Sequence, residues 1–342
     1  MSTNESTIKS DNVIEERDYF LEIQKLVKRF GGENFELGDY IGKGGESLVY
    51  TIKSKKAKNQ LAFKYIIPNK KHKKHTKINE IDISSKLKNP NIIQVYYYFK
   101  SPEDNSEFII MENADFGNLY QYKNKLNLKI FSESLSNYFA QQILKALIYC
   151  HNNKIAHLDL KPENIVVNIY SDIKLIDFSL SMNYRGKNLN NKIKLYIGGT
   201  PLYMPLEVME HRTIKYKDLN KIDSYSFGVI LFYLSFGYYP YNLSHEDVDD
   251  YEIMEHKMSQ KLEIDNSTHK FSNYYIDFLS KLLDNDINKR MSLYESMEHP
   301  WIKIGQVLND ERENISNKTN FITCLISDGV VKFNTFLKNN GQ

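Results

Sequence analysis

The sequence predicts an α+β protein in which a β-rich N-terminal part precedes an α-rich C-terminal part. Three observations carry this reading. Between residues 35 and 111, short runs of β-branched and aromatic residues alternate with turn residues, which is the pattern of half-buried strands. From residue 130 onward, apolar residues recur at helical spacing over stretches too long for strands. Within that second part, Ile165-Val166-Val167 and Ile173-Lys174-Leu175-Ile176 flank the turn-like Asn168-Ile169-Tyr170-Ser171-Asp172, so residues 157–179 read as loop, strand, turn, strand, loop.

In chain order, residues 1–11 are polar and Ser/Thr-containing, a composition that predicts disorder. Residues 12–30 predict an amphipathic helix, with Val13, Tyr19, Phe20, Ile23, Leu26 and Val27 at roughly helical spacing. Packing against the main domain is the plain reading of its apolar face, and a partner-binding helix is the alternative. Strands are expected over 35–41, 47–53 and 61–67, a helix over 77–87, and strands over 91–99 and 107–111. Helices are expected over 134–151, 223–236 and 273–283. The dense basic run 69–77 reads as a solvated loop entering a helix, with docking of an acidic partner or a nuclear-localisation signal as alternatives.

Composition narrows the function classes. The chain has 342 residues, room for one large domain or two lobes, and a net charge of +2, so no nucleic-acid or other polyanion partner is expected. Two cysteines, Cys150 and Cys324, are too few for a disulfide framework and favour a reducing compartment. No run of 18 apolar residues occurs, so no membrane insertion is expected. The start Met1-Ser2 lacks a myristoylation glycine and is followed by no apolar h-region, so neither a myristoyl anchor nor a secretory leader is expected. A cytoplasmic protein is expected, with nuclear entry open through the basic run.

The chemistry is concentrated in His157-Leu158-Asp159-Leu160-Lys161-Pro162-Glu163-Asn164 and Asp177-Phe178-Ser179. A hairpin between these blocks brings a carboxylate, a lysine, an amide and a second carboxylate to one end of a small sheet. Phosphoryl transfer needs such a set: a base near the acceptor hydroxyl, oxygen ligands for Mg²⁺, and a cation near the moving phosphoryl group. Ile41-Gly42-Lys43-Gly44-Gly45-Glu46-Ser47-Leu48-Val49 lies between two expected strands, where glycines let backbone N–H groups approach phosphates.

These blocks resemble the catalytic, metal-binding and glycine-rich loops of eukaryotic protein kinases of the serine/threonine type. The resemblance covers about residues 37–301 and implies a bilobal fold. It divides the chain into an extension 1–34, a domain 35–301 (N-lobe 35–111, hinge 112–118, C-lobe 119–301) and a tail 302–342. It implies ATP and Mg²⁺ as cofactors, with Mn²⁺ as an alternative, and a protein substrate. Ile41, Gly42, Gly44, Ser47 and Val49 would cover the nucleotide. Lys64, in Leu61-Ala62-Phe63-Lys64, would hold the α/β-phosphates and pair with Glu80. Val49 and Ala62 would sandwich adenine, Met111 would close the back of the pocket, and backbone groups of Glu112 and Ala114 would bond the base. Asp159 would orient the acceptor hydroxyl and take its proton, Lys161 would lie on the γ-phosphate, Thr200 would bridge Asp159 and Lys161, and Asn164 with Asp177 would hold Mg²⁺. Glu207 and Arg290 would form a buried pair, and Asp223 would anchor the catalytic loop. Glu163 would favour a basic residue near the acceptor, mildly, because Asn118 and Tyr233 stand where strongly basophilic relatives carry acidic groups.

Four departures qualify the resemblance. Leu158 replaces the family's Arg, Ser179 its metal-loop Gly, Ser47 its third loop Gly, and Ser84 an apolar residue of the N-lobe helix. A neutral Leu158 cannot clamp a phosphate, so activity is expected not to depend in the usual way on phosphorylation of the activation loop or segment, which by the resemblance runs from Asp177 to Glu207. Ser181, Tyr184, Tyr196 and Thr200 remain candidate acceptors beside Arg185, Lys187, Lys192 and Lys194. The catalytic loop and C-lobe lean toward the calmodulin-dependent/myosin-light-chain group, although 330–337 carries few cations and calmodulin is not expected as a partner. The rival readings are a catalytically weak nucleotide-binding scaffold and a small-molecule or lipid kinase.

Overall fold

The computed structural model describes residues 19–29, 34–44, 47–54, 60–67, 81–100, 107–195 and 199–313. The basic run 69–77, Glu80, Tyr196 and residues 314–342 lie outside them. The chain divides into two compact units, one formed by residues 1–73 with 94–113 and the other by 74–93 with 114–342.

The first unit is an antiparallel sheet of β1 (Phe35–Gly44), β2 (Ser47–Ser54), β3 (Leu61–Ile66), β4 (Val95–Lys100) and β5 (Glu107–Glu112), in the order β1-β2-β3-β5-β4. Side chains on a strand point alternately to its two faces. Leu48, Tyr50, Ile52, Phe63, Tyr65 and Phe108 take one face, and helix α1 (residues 19–29) covers it with Ile23, Leu26 and Val27. The Tyr65 hydroxyl donates to Glu22 at 2.7 Å, which pins the helix to the sheet. Register places the candidate nucleotide residues on the opposite face: Val49 stands opposite Lys64, and Ala62 opposite Met111.

The second unit is helical. β6 (Gly117–Asn118) leads into α2 (Leu119–Lys125) and the long α3 (Glu133–Asn152), and with β8 (Ile165–Val167) and β9 (Ile173–Leu175) it forms a three-stranded sheet in the order β6-β8-β9. Two further small sheets join β7 (Ile155–Ala156) to β10 (Met182–Asn183) and β11 (Lys192–Lys194) to β12 (Thr213–Lys215). α4 (Leu206–Met209), α5 (Leu219–Phe236), α6 (Tyr251–Ser259), α7 (Asn273–Leu282), α8 (Leu293–Glu298) and α9 (Pro300–Glu313) complete the unit. α3 starts at an N-cap, where the Ser132 hydroxyl accepts from the Leu135 amide. α5 stops at Gly237, whose φ of 82° is the left-handed conformation that glycine adopts without a Cβ penalty.

Two buried polar contacts lock this unit. The Arg290 guanidinium, fully buried, donates to both Glu207 carboxylate oxygens at 2.6 and 3.0 Å and lies 4.9 Å from the Tyr225 ring. It also donates to the Asp284 and Lys221 carbonyls, so its fork is satisfied on several sides. Trp301 stacks on Tyr275 with ring centroids 4.4 Å apart, and its indole N–H donates to Glu133 at 2.9 Å. Burial pushes the Glu133 carboxyl up, against the lowering pull of the hydrogen bonds from Ser272 and Trp301.

Candidate active site

The β7-to-β9 region carries the candidate acid–base and oxygen-donor residues, and one buried carboxylate holds it in shape. Asp223, on α5, accepts the His157 amide at 2.9 Å and the Leu158 amide at 2.8 Å, and meets His151 Nε2 at 2.6 Å. Burial alone would push its carboxyl up; the His151 hydrogen bond and charge, with His157 and the Leu158 amide, outweigh burial and hold it below the usual carboxylate range. His157 is buried and spans two points of the loop. Its Nδ1 accepts from the Asp159 amide at 3.3 Å, so its Nε2 carries the proton that goes to the Ile176 carbonyl at 3.1 Å. The His157 ring packs on Phe178 at 5.1 Å.

On this frame the four candidate catalytic side chains converge. The Asp159 carboxylate is 2.9 Å from Lys161 Nζ and accepts from Asn164 Nδ2 at 3.0 Å. Asn164 Nδ2 also donates to the Asp159 carbonyl at 2.8 Å. Lys161 Nζ donates to Thr200 Oγ1 at 3.3 Å as well. Lys161, rather than Thr200, is thus the member that joins the other two. The Asp159 carboxylate keeps 8% of its surface exposed and Lys161 20%, so both reach solvent from an otherwise packed loop.

Asp177 follows directly on Ile176, whose amide donates to the Asn164 carbonyl at 2.9 Å. Its carboxylate accepts from the Ser179 amide at 3.2 Å. Leu158 and Asp177 have φ of 64° and 62°, a conformation that costs L-residues energy and is kept where the surroundings enforce it. Ser179 is not among the positive-φ residues, which explains why a Cβ is tolerated there.

This donor set fits Mg²⁺. The Asn164 amide nitrogen is committed to Asp159, so its Oδ1 points away from that carboxylate, and Asp177 supplies carboxylate oxygens nearby in the fold. Hard cations take oxygen ligands, and Mg²⁺ is commonly held through one or two protein groups plus phosphate and water. Among the described residues no group of three or more His, Cys, Asp or Glu forms a self-sufficient metal cage, in keeping with that mode.

In the sheet unit, the candidate nucleotide residues lie on neighbouring strands. Ile41, Gly42 and Gly44 are in β1, Ser47 and Val49 in β2, Ala62 and Lys64 in β3, and Met111 and Glu112 in β5. A Cβ on Gly42 would meet no atom within 4 Å, so protein packing does not demand that glycine. Ser47 is buried in the ladder, paired with both Gly44 and Ile66. The Glu112 amide donates to the Gln94 carbonyl at 2.9 Å and is committed to the protein. Ala114, in the helical unit, accepts from the Gly117 amide at 3.0 Å, which commits its carbonyl and leaves its amide as the group for a ligand.

The structure adds residues that the motifs did not single out. A Cβ on Gly199 would lie 3.1 Å from the Asp159 carboxylate and 2.8 Å from Met204, so this glycine permits close approach to the catalytic loop. Leu158 packs in an apolar cluster with Ala156, Tyr184, Leu195, Val208, Ile214, Leu219 and Ile222. That these residues pack together was not visible in sequence, since the partners are far apart along the chain.

The profile of the protein kinase domain matches residues 35–302. The chain is 30% identical to "Aurora kinase" of Patiria pectinifera over 82% of this chain, and 30% identical to "Aurora kinase B" of Mus musculus over 79%. It is 28% identical to "Serine/threonine-protein kinase Aurora-1" of Arabidopsis thaliana over 80%. It spans 66%, 74% and 88% of those relatives, so against the first it covers less than two thirds of the relative's length. The lean toward the calmodulin-dependent/myosin-light-chain group is not supported; the similarity is to Aurora kinases instead. The motif order, the buried Asp223 anchor and the profile match agree: this chain belongs to the protein kinase domain family.

Proposed function

We propose that this protein is an active serine/threonine protein kinase that transfers the γ-phosphate of ATP to hydroxyl groups of protein substrates. The observation that carries the reading is the intact Asp159–Lys161–Asn164–Thr200 cluster, hydrogen-bonded throughout and still reaching solvent. Asp159 orients the acceptor hydroxyl and accepts its proton as the oxygen attacks. Lys161, already beside that carboxylate, stabilises charge on the transferring phosphoryl group. Asn164 and Asp177 would hold Mg²⁺, or Mn²⁺ in its place, which neutralises phosphate charge when bound. Lys64, on the face of the sheet that carries Val49 and Ala62, would hold the α/β-phosphates. Exposed Glu163, between Lys161 and Asn164, supports a mild preference for a basic residue near the acceptor.

Activity without the usual activation-loop phosphorylation is part of the reading. Leu158 is 6% exposed inside the apolar cluster, where the segment's own Tyr184 and Leu195 cover it. Ser181 and Tyr184 are buried and donate to the His157 and His151 carbonyls, both at 3.1 Å, so neither hydroxyl is presented to another kinase. These packed roles also count against the scaffold reading, since Leu158 and Ser179 are accommodated by the site.

The test is transfer of γ-phosphate from Mg-ATP to a generic protein acceptor by phosphatase-treated wild type and by Asp177→Asn, with products mapped by mass spectrometry. Wild type should transfer and Asp177→Asn should not. ATP binding with no transfer by either would replace the kinase reading with a nucleotide-binding scaffold.

A further inference from the structure

We infer that Tyr184 is a positioning residue for phosphoryl transfer: its hydroxyl ties the activation segment to the buried His151–Asp223 pair that holds the catalytic-loop backbone. The inference rests on the kinase reading and deepens it.

The connection runs through three consecutive links. The Tyr184 hydroxyl donates to the His151 carbonyl at 3.1 Å and lies 3.2 Å from His151 Nδ1. His151 Nε2 is 2.6 Å from Asp223 Oδ2. The same oxygen accepts the His157 amide, and its twin accepts the Leu158 amide. Asp159 comes next in the chain. His151 and Asp223 are 1% and 0% exposed, and Tyr184 is 5% exposed, so water does not substitute for any partner. Burial also pushes the phenol well up, which keeps it a hydrogen-bond donor.

The backbone reinforces the side chain. The Tyr184 amide donates to the Lys154 carbonyl at 2.8 Å, and Met182 and Asn183 pair with Ala156 and Ile155. The segment is therefore stitched to the three residues that precede the catalytic loop. The Tyr184 ring meanwhile belongs to the apolar cluster that includes Leu158. One side chain thus touches the loop twice, through its ring and through His151. A packed cluster alone would accept any apolar residue at this position; the hydroxyl on His151 is what links the segment to the carboxylate setting the loop.

The test is Tyr184→Phe in the full chain, which keeps the ring and removes only the hydroxyl. Its kcat should fall up to about tenfold, the size of one buried hydrogen bond whose loss is felt as a less well-set catalytic loop, with KM for ATP unchanged. Amide hydrogen exchange over residues 155–160 should be faster than in wild type. Tyr184→Leu should show the same faster exchange. Unchanged exchange in both variants, or an unchanged kcat in Tyr184→Phe, would overturn the inference. Exchange is read without ATP, so a wild type that transfers no phosphate would defeat the kinase reading while the exchange comparison still decides the role of Tyr184.

Discussion

Replacing Leu158 by the arginine usual in the family should damage this protein. Leu158 is 6% exposed and surrounded by Ala156, Tyr184, Leu195, Val208, Ile214, Leu219 and Ile222. Removing a buried leucine side chain forfeits about 1.5–3 kcal/mol of apolar burial. A guanidinium among those side chains adds the cost of a buried charge without a partner, about 3–5 kcal/mol when judged from broken buried pairs. The φ of 64° is common to both residues, so backbone strain cancels. Arginine can extend its head toward solvent along its stem, which puts the net near the lower end of the sum, about 4–5 kcal/mol. That is a large share of the roughly 5–15 kcal/mol that holds a typical domain folded. The least costly relief is local: the activation segment leaves the cluster while the helical core stays folded. Leu158→Arg should therefore show faster proteolysis within 182–195 and a much lower kcat. Leu158→Met, close in volume, should lose less than about 1.5 kcal/mol in urea denaturation and keep its activity. An arginine variant with wild-type proteolysis and wild-type activity would refute the reasoning, since it would mean that Leu158 packing does not hold the segment.

Two further outcomes follow from the buried charges. Glu207→Ala or Arg290→Ala should each cost about 3–5 kcal/mol in urea denaturation, because either leaves a buried charge alone, whereas the double change Glu207→Leu/Arg290→Met should cost less than the sum; additive losses would show that the pair does not act as a unit. Asp223 has a folded-state pKa below its unfolded value, so its contribution to stability is complete above the unfolded carboxylate range and is lost as pH falls through the lower folded value. Acid unfolding of wild type should therefore be steepest below about pH 4, and Asp223→Asn, less stable at neutral pH, should lose less on acidification; an equal loss in the two proteins would place the acid-sensitive group elsewhere.

Some of the site was legible because its chemistry is local in sequence. Asp159, Lys161 and Asn164 share one short loop, and the hairpin that returns the chain at Asp177 is written in two apolar runs and a turn. The alternation in β3 likewise decides that Ala62 and Lys64 share a face before any partner strand is known, and the pairing of Val49 with Lys64 then puts Val49 on it. The Glu207–Arg290 pair could be anticipated only through family resemblance, because no rule of spacing relates those two positions. The departures were harder to read. Leu158 shows in sequence only as a missing cation; its packing partners come from α4, β12, α5 and the activation segment. Tyr184 stood out only as a possible phosphate acceptor.

By itself, then, the sequence determined the fold class, the order of the elements and which side chains are the candidates for acid–base and oxygen-donor roles, since strand and helix periods and a single loop motif are properties of neighbouring residues. Tertiary structure alone decided that Lys161 is the centre of its cluster, that Gly199 makes room for the Asp159 carboxylate, and that Leu158 and Tyr184 meet in one buried cluster. Those facts depend on side chains that folding brings together from distant parts of the chain, where burial gives each missing partner a cost that no local pattern records.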